Sequence, residues 1–308
     1  MKVVCLAGGV GGAKLADGLA CLLPPDNLTI IVNTGDDFEH LGLTVCPDLD
    51  TVMYTLAGAA NPETGWGRAG ESWTAMAEVS RLGGPGWFRL GDLDLAAHLV
   101  RTSMRHSGET LTAVTRHLCQ KLDIKHAILP MTDQPAPTQI ATDGRTLPFQ
   151  EWFVKEQWQP PVKEVVLPED VRATTAVIHA LENADIVILA PSNPFVSIEP
   201  ILNVYPIRAM VMDLPQAVVA VSPIIGGQAV KGPAAKMMQE RDMPVSARAV
   251  AEFYGDLLDG FVYDVQDAGQ LDGVDVAPLA VNTWMHNRED RIRLAQDVLT
   301  FAEKLASA

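Results

Sequence analysis

The chain has 308 residues, of which 23 are basic and 38 acidic, so its formal net charge at pH 7 is −15. Hydrophobic residues make up 48% of the sequence and charged residues 20%, which is typical of a globular protein and excludes disordered and fibrous chains. The negative charge argues against nucleic-acid and anionic-lipid partners, because both attract clustered Lys and Arg. We therefore expect a folded, soluble protein in the cytoplasm.

The cysteines and the apolar runs agree with that expectation. Four cysteines are too far apart for a CxxC motif, and we interpret them as reduced thiols. The longest apolar stretches fall far short of the roughly 18 residues that a membrane span needs. No linker separates independent units, so we predict one domain over residues 1–308.

The first predicted elements are a strand, a glycine turn and a helix. Residues 3–7 are continuously apolar, and a glycine-rich stretch at 8–14 leads into leucines at helical spacing. Residues 28–32 predict a second buried strand, which ends at the polar stretch 33–37. A parallel β-α-β unit therefore opens the chain.

The rest of the chain continues this alternation around an insert. Residues 61–125 are mostly helical in pattern and are interpreted as an insert or lid, and residues 138–149 predict a hairpin around Asp143-Gly144. A helix at 171–181 precedes strands at 185–190 and 217–221, and an amphipathic helix at 288–305 follows. This order predicts an α/β fold, a doubly wound, mostly parallel Rossmann-like sheet that binds ligands beyond the carboxyl ends of its strands.

The glycine-rich stretch is the first candidate site. Glycines let the backbone approach an anion, and the following helix offers free N–H groups. The stretch fails the GxGxxG motif, because Lys14 stands at the last glycine position, and it lacks the Gly-Lys-Ser/Thr of a Walker A loop. A turn that only packs helix against strand is the alternative. The candidate binding residues are Gly9, Val10, Gly11, Gly12 and Lys14.

Four carboxylates form the second candidate site: Asp36, Asp37, Asp48 and Asp50 fall within fifteen residues. Mg²⁺ prefers one or two carboxylates together with phosphate oxygens and water. Each Asp alone could instead cap a helix or form a turn. Opposite the glycine turn, the group predicts a metal–phosphate site. We expect Asp50 to be an exposed strand-end carboxylate, so that Asp50→Asn lowers turnover without affecting the melting temperature.

Two polar clusters follow strands in the second half of the chain. Both carry hydrogen-bond donors without bulky side chains, and ordinary turns are the alternative explanation. Their candidate binding residues are Ser192, Asn193, Gly226 and Lys231.

Together these motifs resemble the 2-phospholactate transferase family, which builds the deazaflavin coenzyme F420. The resemblance rests on Gly-Gly-Val-Gly-Gly-Ala-Lys at 8–14, Asn-Thr-Gly-Asp-Asp at 33–37 and Pro-Asp-Leu-Asp-Thr at 47–51. It continues with Ala-Pro-Ser-Asn-Pro at 190–194 and Ser-Pro-Ile-Ile-Gly-Gly at 222–227. Further matches at 87–92, 138–139 and 243–247 extend it over nearly the whole chain, and it is closest to the bacterial branch.

The resemblance implies a phosphotransferase. Such an enzyme moves a phospho-acid, either 2-phospholactyl or enolpyruvyl-phosphate, from a guanosine-diphosphate conjugate to the ribitol hydroxyl of the deazaflavin Fo and releases GMP. It implies that Asp36 and Asp50 bind Mg²⁺, that Asp37 and Asp48 orient the metal or the hydroxyl, and that the glycine turn carries the diphosphate. Guanine would lie near Ser192 and Asn193. Family members are commonly dimers, so a homodimer is expected.

The flat deazaflavin ring would need an apolar slot with a stacking surface. Trp66, Trp73, Trp87 and Phe88 are concentrated in the insert, although such residues could simply form the core of the insert. We predict that Trp66 and Trp73 bind the acceptor.

Two alternatives remain open at the sequence level. One is a regulatory nucleotide-sugar binding protein of the gluconeogenesis-factor type, which carries a Gly-Gly-Ser-Ser-Gly-like stretch directly after the Asp pair; Phe38-Glu39-His40-Leu41-Gly42 stands there instead. The other is an NAD-dependent dehydrogenase, which the failed GxGxxG motif disfavours. The transferred acid, and whether Asp36 or Asp37 is the direct metal ligand, also stay open.

Overall fold

The computed structural model describes residues 1–307 and contains the predicted strand and helix alternation. In this range the strands are β1 (Val3–Ala7), β2 (Leu28–Val32), β3 (Phe38–His40), β4 (Leu43–Val45), β5 (Ala127–Pro130), β6 (Gln139–Thr142), β7 (Arg145–Pro148), β8 (Glu164–Val166), β9 (Ile186–Leu189), β10 (Ala217–Val221), β11 (Ile224–Ile225), β12 (Gln228–Ala229), β13 (Gly260–Asp264) and β14 (Ala277–Val281). The α-helices are α1 (Gly9–Leu22), α2 (Pro47–Leu56), α3 (Thr74–Arg81), α4 (Asp92–His106), α5 (Leu111–Lys121), α6 (Thr175–Glu182), α7 (Glu199–Asn203), α8 (Ile207–Asp213), α9 (Ala234–Gln239), α10 (Ala247–Tyr254) and α11 (Arg288–Ala306).

Seven parallel strands form the central sheet in the order β14-β13-β10-β9-β1-β2-β5. The predicted doubly wound α/β fold is therefore confirmed. The inner strands are apolar runs because both faces of the sheet are covered. In β1, Val4 and Leu6 pack into the core on one face, whereas Val3, Cys5 and Ala7 pack into the core on the other.

Helices cover the two faces unequally. The cores show α1, α2, α5 and α11 on one face and α6 to α10 on the other. Within residues 1–307, α3 adds no side chain to either core, and α4 adds only the partly buried Met104. The predicted insert at 61–125 is thus divided, because α3 and α4 stand off the sheet whereas α5 packs on it.

Capping residues fix the start of two predicted helices, and one of these starts differs from the prediction. The helix predicted from residue 171 begins at Thr175, since the Thr174 hydroxyl accepts a hydrogen bond from the Val177 N–H at 3.2 Å. The last helix begins at Arg288, as predicted, after Asn287 accepts from the Asp290 N–H at 2.8 Å. The predicted hairpin is confirmed as β6 and β7, which join at Asp143-Gly144.

The loops that follow β1, β2, β9, β10 and β14 leave the same edge of the sheet. Chain order reverses at β1, which lies between β2 and β9, so the ligand crevice of a doubly wound fold is expected there. In the range 1–307, no helix is both long enough and apolar enough to span a bilayer.

Candidate active site

A cavity of about 780 Å³ lies at this carboxyl edge, between the sheet and the α3–α4 insert. Its walls come from the start of α1, the loops after β2, β9, β10 and β14, helix α2 and the insert. The structure brings most of the predicted site residues to this cavity: Gly9, Val10, Gly11, Lys14, Asp36, Asp50, Trp66, Ser192, Asn193 and Lys231. Four predicted residues in the described part of the chain do not line it: Gly12, Asp37, Trp73 and Gly226.

The glycine-rich stretch is mostly helix, since α1 begins at Gly9. Gly9 itself has a φ of +61°, in the region that favours glycine. A Cβ atom on Gly11 would lie 2.2 Å from the Pro191 carbonyl oxygen, and one on Gly12 would lie 2.6 Å from Ser192 Oγ. The glycines therefore let α1 pack closely on the loop after β9. For Gly12, which does not line the cavity, close packing alone explains why the residue is a glycine.

Two ammonium groups face the cavity beside this turn. Lys14 Nζ donates to the Met285 carbonyl at 2.8 Å, and Lys231 Nζ donates to the Thr64 carbonyl. Within residues 1–307 neither lysine forms a salt bridge. Burial lowers the pKa of both lysines, and the charges of Arg291 and Lys231 lower that of Lys14 further. Positive charge without a counter-ion, next to a helix N-terminus, makes an anion site.

A second wall of the cavity is acidic, and Asn33 organises it. Asn33 Nδ2 donates to Asp36 Oδ1 at 3.1 Å and to Asp48 Oδ2 at 2.9 Å. Asp48 Oδ1 also accepts from the Gly9 N–H at 2.8 Å, and Asp36 Oδ2 accepts from Gln150 Nε2 at 3.2 Å. Both carboxylates are buried, at 6% and 5% exposure for Asp36 and Asp48.

The two carboxylates lack a countercharge. Burial and then the charge of Asp48 raise the pKa of Asp36 well above its ordinary value. Burial raises the pKa of Asp48 to about 6, although hydrogen bonds from Asn33 and Gly9 oppose the shift. A divalent cation fits this wall, because it would neutralise the pair with the hard oxygen ligands that Mg²⁺ prefers.

Asp37 does not line the cavity. Burial raises the pKa of Asp37 well above its ordinary value, and the charges of Asp50 and Asp48 raise it further. A hydrogen bond with Cys46 and the charge of Arg101 oppose this shift. Its Oδ1 atom is buried without a hydrogen-bond partner in the described chain. Of the two adjacent aspartates, Asp36 is the one whose side chain reaches the cavity.

Asp50 differs from the expectation of an exposed strand-end carboxylate. It lies in the first turn of α2 and is 5% exposed. Arg101, which is 1% exposed, donates from Nη1 to Asp50 Oδ2 at 3.1 Å and from Nη2 to Asp50 Oδ1. The expectation that Asp50 is exposed is therefore wrong, and we now expect Asp50→Asn to lower stability, because the substitution would leave a buried guanidinium without its charged partner.

Arg101 belongs to a network that continues into the insert. Ligand atoms of Asp50, Asp94 and His98 lie within 4.8 Å of one another, which is a spacing that could hold a metal ion. However, Arg101 Nη1 lies 2.9 Å from His98 Nδ1, and a guanidinium only donates, so we assign the His98 proton to Nε2. That nitrogen faces Asp94 Oδ1 at 3.4 Å, and Tyr54 donates to the same oxygen at 2.8 Å. Arg101 thus balances the charge of Asp50, while Asp94 accepts from Tyr54 and faces the His98 N–H.

The two polar clusters predicted in the second half of the chain, at Ser192-Asn193 and around Gly226, form hydrogen bonds within the protein. Ser192 Oγ donates to the Gly8 carbonyl at 2.8 Å, and Asn193 Oδ1 accepts from the Phe195 N–H at 3.0 Å. Asn193 Nδ2 lies 3.5 Å from the Met237 sulfur. The Gly226 N–H donates to Asp267 at 2.9 Å in the β11–β12 turn.

Aromatic side chains line the insert side of the cavity. Trp66 is 50% exposed, and Trp87 and Phe88 contact each other with ring centroids 5.7 Å apart. Trp73 instead packs against the Arg89 guanidinium, which lies 4.6 Å from its ring centroid. Phe149 and Phe153, which stack in parallel at 5.4 Å, complete this wall.

Sequence reasoning missed several cavity residues. Asp94, His98 and Arg101 follow one another at intervals of four and three, which places them on one face of a helix, so this spacing was a usable signal. Trp284 and His286 lie two positions apart in the loop after β14, and both line the cavity. The sequence pattern does not predict that edge strand, so it gives no reason to place the aromatic residues after it at the site.

Comparison with known proteins gives one consistent family. The family model for 2-phospho-L-lactate transferase CofD matches residues 3–282. A phosphoenolpyruvate transferase of Streptomyces coelicolor is 42% identical over 320 aligned residues, covering 100% of both chains. One of Streptomyces griseus is 41% identical and covers 99% of each, and one of Mycolicibacterium smegmatis is 40% identical, covering 90% of this chain and 91% of that protein.

Solved structures share the fold at low identity. Two structures of protein BH3568 from Bacillus halodurans, one described as a member of the upf0052 family, have TM-scores of 0.66 and 0.63. They are 16% and 15% identical and cover 97% of this chain, and 99% and 98% of their own. At this identity the likeness shows the fold alone.

Proposed function

The chain belongs to the 2-phospho-L-lactate transferase family, and from that membership we propose that it is a phosphoenolpyruvate transferase of coenzyme F420 biosynthesis. In this proposal enolpyruvyl-phosphate moves from a guanosine-diphosphate conjugate to the ribitol hydroxyl of Fo. The relatives at about 41% identity carry the name phosphoenolpyruvate transferase, which favours enolpyruvyl over 2-phospholactyl as the transferred group.

One observation carries the proposal: the same cavity is lined by unpaired positive charge and by unpaired negative charge. Lys14 and Lys231 have no carboxylate partner in the described chain, and Asp36 and Asp48 have no cationic one. A metal-bound diphosphate supplies both missing charges at once. Phosphoryl-group transfer depends mainly on positioning and on neutralisation of such charge.

The reaction balances without a further reactant. The ribitol oxygen forms a bond to the phosphorus that carries the enolpyruvyl group, and the bond from that phosphorus to the bridging oxygen breaks. The electron pair of the broken bond stays on GMP, and the hydroxyl proton is released to solvent. The lysines and the N–H groups in the first turn of α1 that follow Gly9 hold the diphosphate, since the Gly9 N–H already donates to Asp48. The aromatic wall of the insert holds the deazaflavin.

Mg²⁺ would be held by the acidic wall, with Asp36 as a ligand as predicted. Asp50, the second predicted ligand, is already neutralised by Arg101, so Asp48 has the stronger electrostatic reason to bind a cation. Bound there, the ion would neutralise charge on the phosphate oxygens. Asp37, which does not line the cavity, then acts on the site through the effect of its charge on Asp36.

The test is a product assay with Fo and each guanylated acid in turn, read by mass spectrometry. We expect a dehydro F420-0 product and GMP from the enolpyruvyl conjugate, and loss of product with EDTA. Product only from the lactyl conjugate would change the assigned acid, and no product from any conjugate would refute the proposal.

Binding measurements test the regulatory alternative separately. Calorimetry with GDP, ADP, UDP-glucose and NAD should show binding of GDP, and this binding should weaken in Lys14→Ala. Tight binding of UDP-glucose alone would favour the nucleotide-sugar binding protein. The homodimer and the cytoplasmic location stay predictions, and size-exclusion chromatography with light scattering tests the former.

A further inference from the structure

We propose that Trp284 and His286 form the platform on which the nucleobase of the guanosine leaving group stacks. This inference rests on the proposed function, since it assigns the position of the nucleotide that the reaction releases. It differs from the expectation that guanine lies near Ser192 and Asn193.

The ring geometry suits a flat ligand. Both side chains line the cavity, and their rings stack on each other, parallel within 4° with centroids 5.2 Å apart. A base would therefore extend the stack on an outer face of the pair. Trp284 is half-buried and His286 is exposed. Stacking of bases on aromatic rings tolerates different bases, because every base has a π face.

The backbone that carries the rings is held from several sides. The Thr283 N–H donates to the buried Asp264 carboxylate at 2.8 Å, and the Trp284 carbonyl accepts from Arg293 Nη2 at 3.0 Å. The next carbonyl, that of Met285, accepts from Lys14 Nζ at 2.8 Å. A platform fixed before the ligand arrives loses little conformational entropy on binding.

The position of the platform matches the direction of an in-line transfer. The carboxylates follow β2, on one side of β1, whereas Trp284 follows β14, at the opposite end of the sheet. The attacking and leaving oxygens lie on opposite sides of the phosphorus. If the acceptor enters from the insert and the acidic wall, the nucleoside leaves toward Lys14 and Trp284.

Lys14 joins the two subsites. Its side chain starts from the second turn of α1, beside the glycine turn, and its ammonium contacts the loop that carries the platform. A nucleotide with its phosphates at Lys14 therefore has the aromatic pair within the same cavity. Ser192 and Asn193, in contrast, use their polar atoms to hold the loop after β9.

The test compares ligands with and without a base. Calorimetry with GMP and with inorganic pyrophosphate is performed on wild type, Trp284→Ala, His286→Ala and Trp284→Phe. Loss of one base–aromatic stack should weaken GMP binding about 5- to 150-fold in Trp284→Ala. Pyrophosphate binding should not change, and Trp284→Phe should keep most of the affinity for GMP. The exposed Trp158, which does not line the cavity, supplies the control Trp158→Ala.

The outcomes separate the platform from the proposed function. Unchanged GMP affinity in both alanine variants would overturn the platform while leaving the transferase assignment in place. Weaker binding of Fo instead of GMP would assign the pair to the acceptor and also overturn the proposal. If wild type bound neither GMP nor GDP, both the platform and the proposed function would fail. Because His286 is exposed, its alanine variant gives a result even if Trp284→Ala does not fold.

Discussion

Asp48 and Asp50 lie two residues apart in the first turn of α2 and line the same cavity, yet their surroundings are opposite. Asp50 faces the guanidinium of Arg101, whereas Asp48 shares the Asn33 amide with another carboxylate, Asp36. The charges of Asp50 and Arg101 cancel, and we call these residues the balanced pair. Asp36 and Asp48 carry charges of the same sign, and we call them the unbalanced pair. The difference shows that the charge facing a carboxylate, rather than residue type or position on the helix, separates a structural aspartate from one suited to a cation.

The largest effect is expected from breaking the balanced pair. Arg101→Met should lower the free energy of unfolding by about 3–5 kcal/mol, because the Asp50 charge would remain buried without a partner. Chemical denaturation measures this directly. Arg81→Met removes an exposed arginine from its pair with Glu78 and should change stability little. Equal stability of Arg101→Met and wild type would show that the buried pair contributes nothing.

Breaking the unbalanced pair should affect activity instead. Asp36→Asn should lower kcat about 10²- to 10³-fold, the effect typical of losing one electrostatic stabiliser. Its metal-free form should melt above wild type, because one of two repelling buried charges is gone and Gln150 can rotate its amide to accept from Asn. A variant with normal turnover, or with a lower melting temperature than wild type, would contradict the distinction between the two pairs.

A double substitution sharpens the interpretation of the balanced pair. Asp50→Asn combined with Arg101→Met should be more stable than Arg101→Met alone by about 0.5–3 kcal/mol, since the unpaired carboxylate is removed as well. Additive losses in the double variant would mean that the two side chains act independently.

The pH dependence of stability should separate the pairs further. Asp48 has a folded-state pKa of about 6, above its ordinary value of 3.8, so the folded chain binds more protons than the unfolded chain between these pH values. Its contribution therefore lowers the stability of the metal-free protein as pH rises from about 4 to about 6. Asp36→Asn lacks a second such carboxylate, because burial and then the charge of Asp48 raise the pKa of Asp36 well above 3.8. Melting curves with EDTA should therefore show the wild type falling further below Asp36→Asn as pH rises above 3.8, and Mg²⁺ should reduce the gap at higher pH. A gap that is independent of pH would rule out a raised pKa of Asp36.

The smallest effect is expected at a cavity residue that contacts neither pair. Trp66→Ala should raise the KM for Fo about 2- to 10-fold, from the loss of one aromatic contact, without changing the pH dependence of stability. Trp73→Ala is the matched comparison, because Trp73 lies outside the cavity beneath Arg89. Equal effects of the two substitutions would show that the acceptor does not contact Trp66.

The fold and the location of the site could be predicted because their signals are local. A strand buried on both faces is a short apolar run, so β1, β2 and β10 are visible at residue precision. Parallel strands share one carboxyl edge, which is why the polar stretches after them meet in one cavity. The motifs themselves also carried the family resemblance, which the family match confirms.

The roles of single residues depend on partners far along the chain. Asp50 is neutralised by Arg101, 51 positions away, and Ser192 bonds to Gly8, 184 positions away. Lys14 reaches Met285, 271 positions away, and thereby joins the first helix to the aromatic pair after the last strand. No local pattern records such contacts, because they arise only when helices and loops pack against the sheet. Tertiary packing therefore decided which carboxylates are left without countercharge.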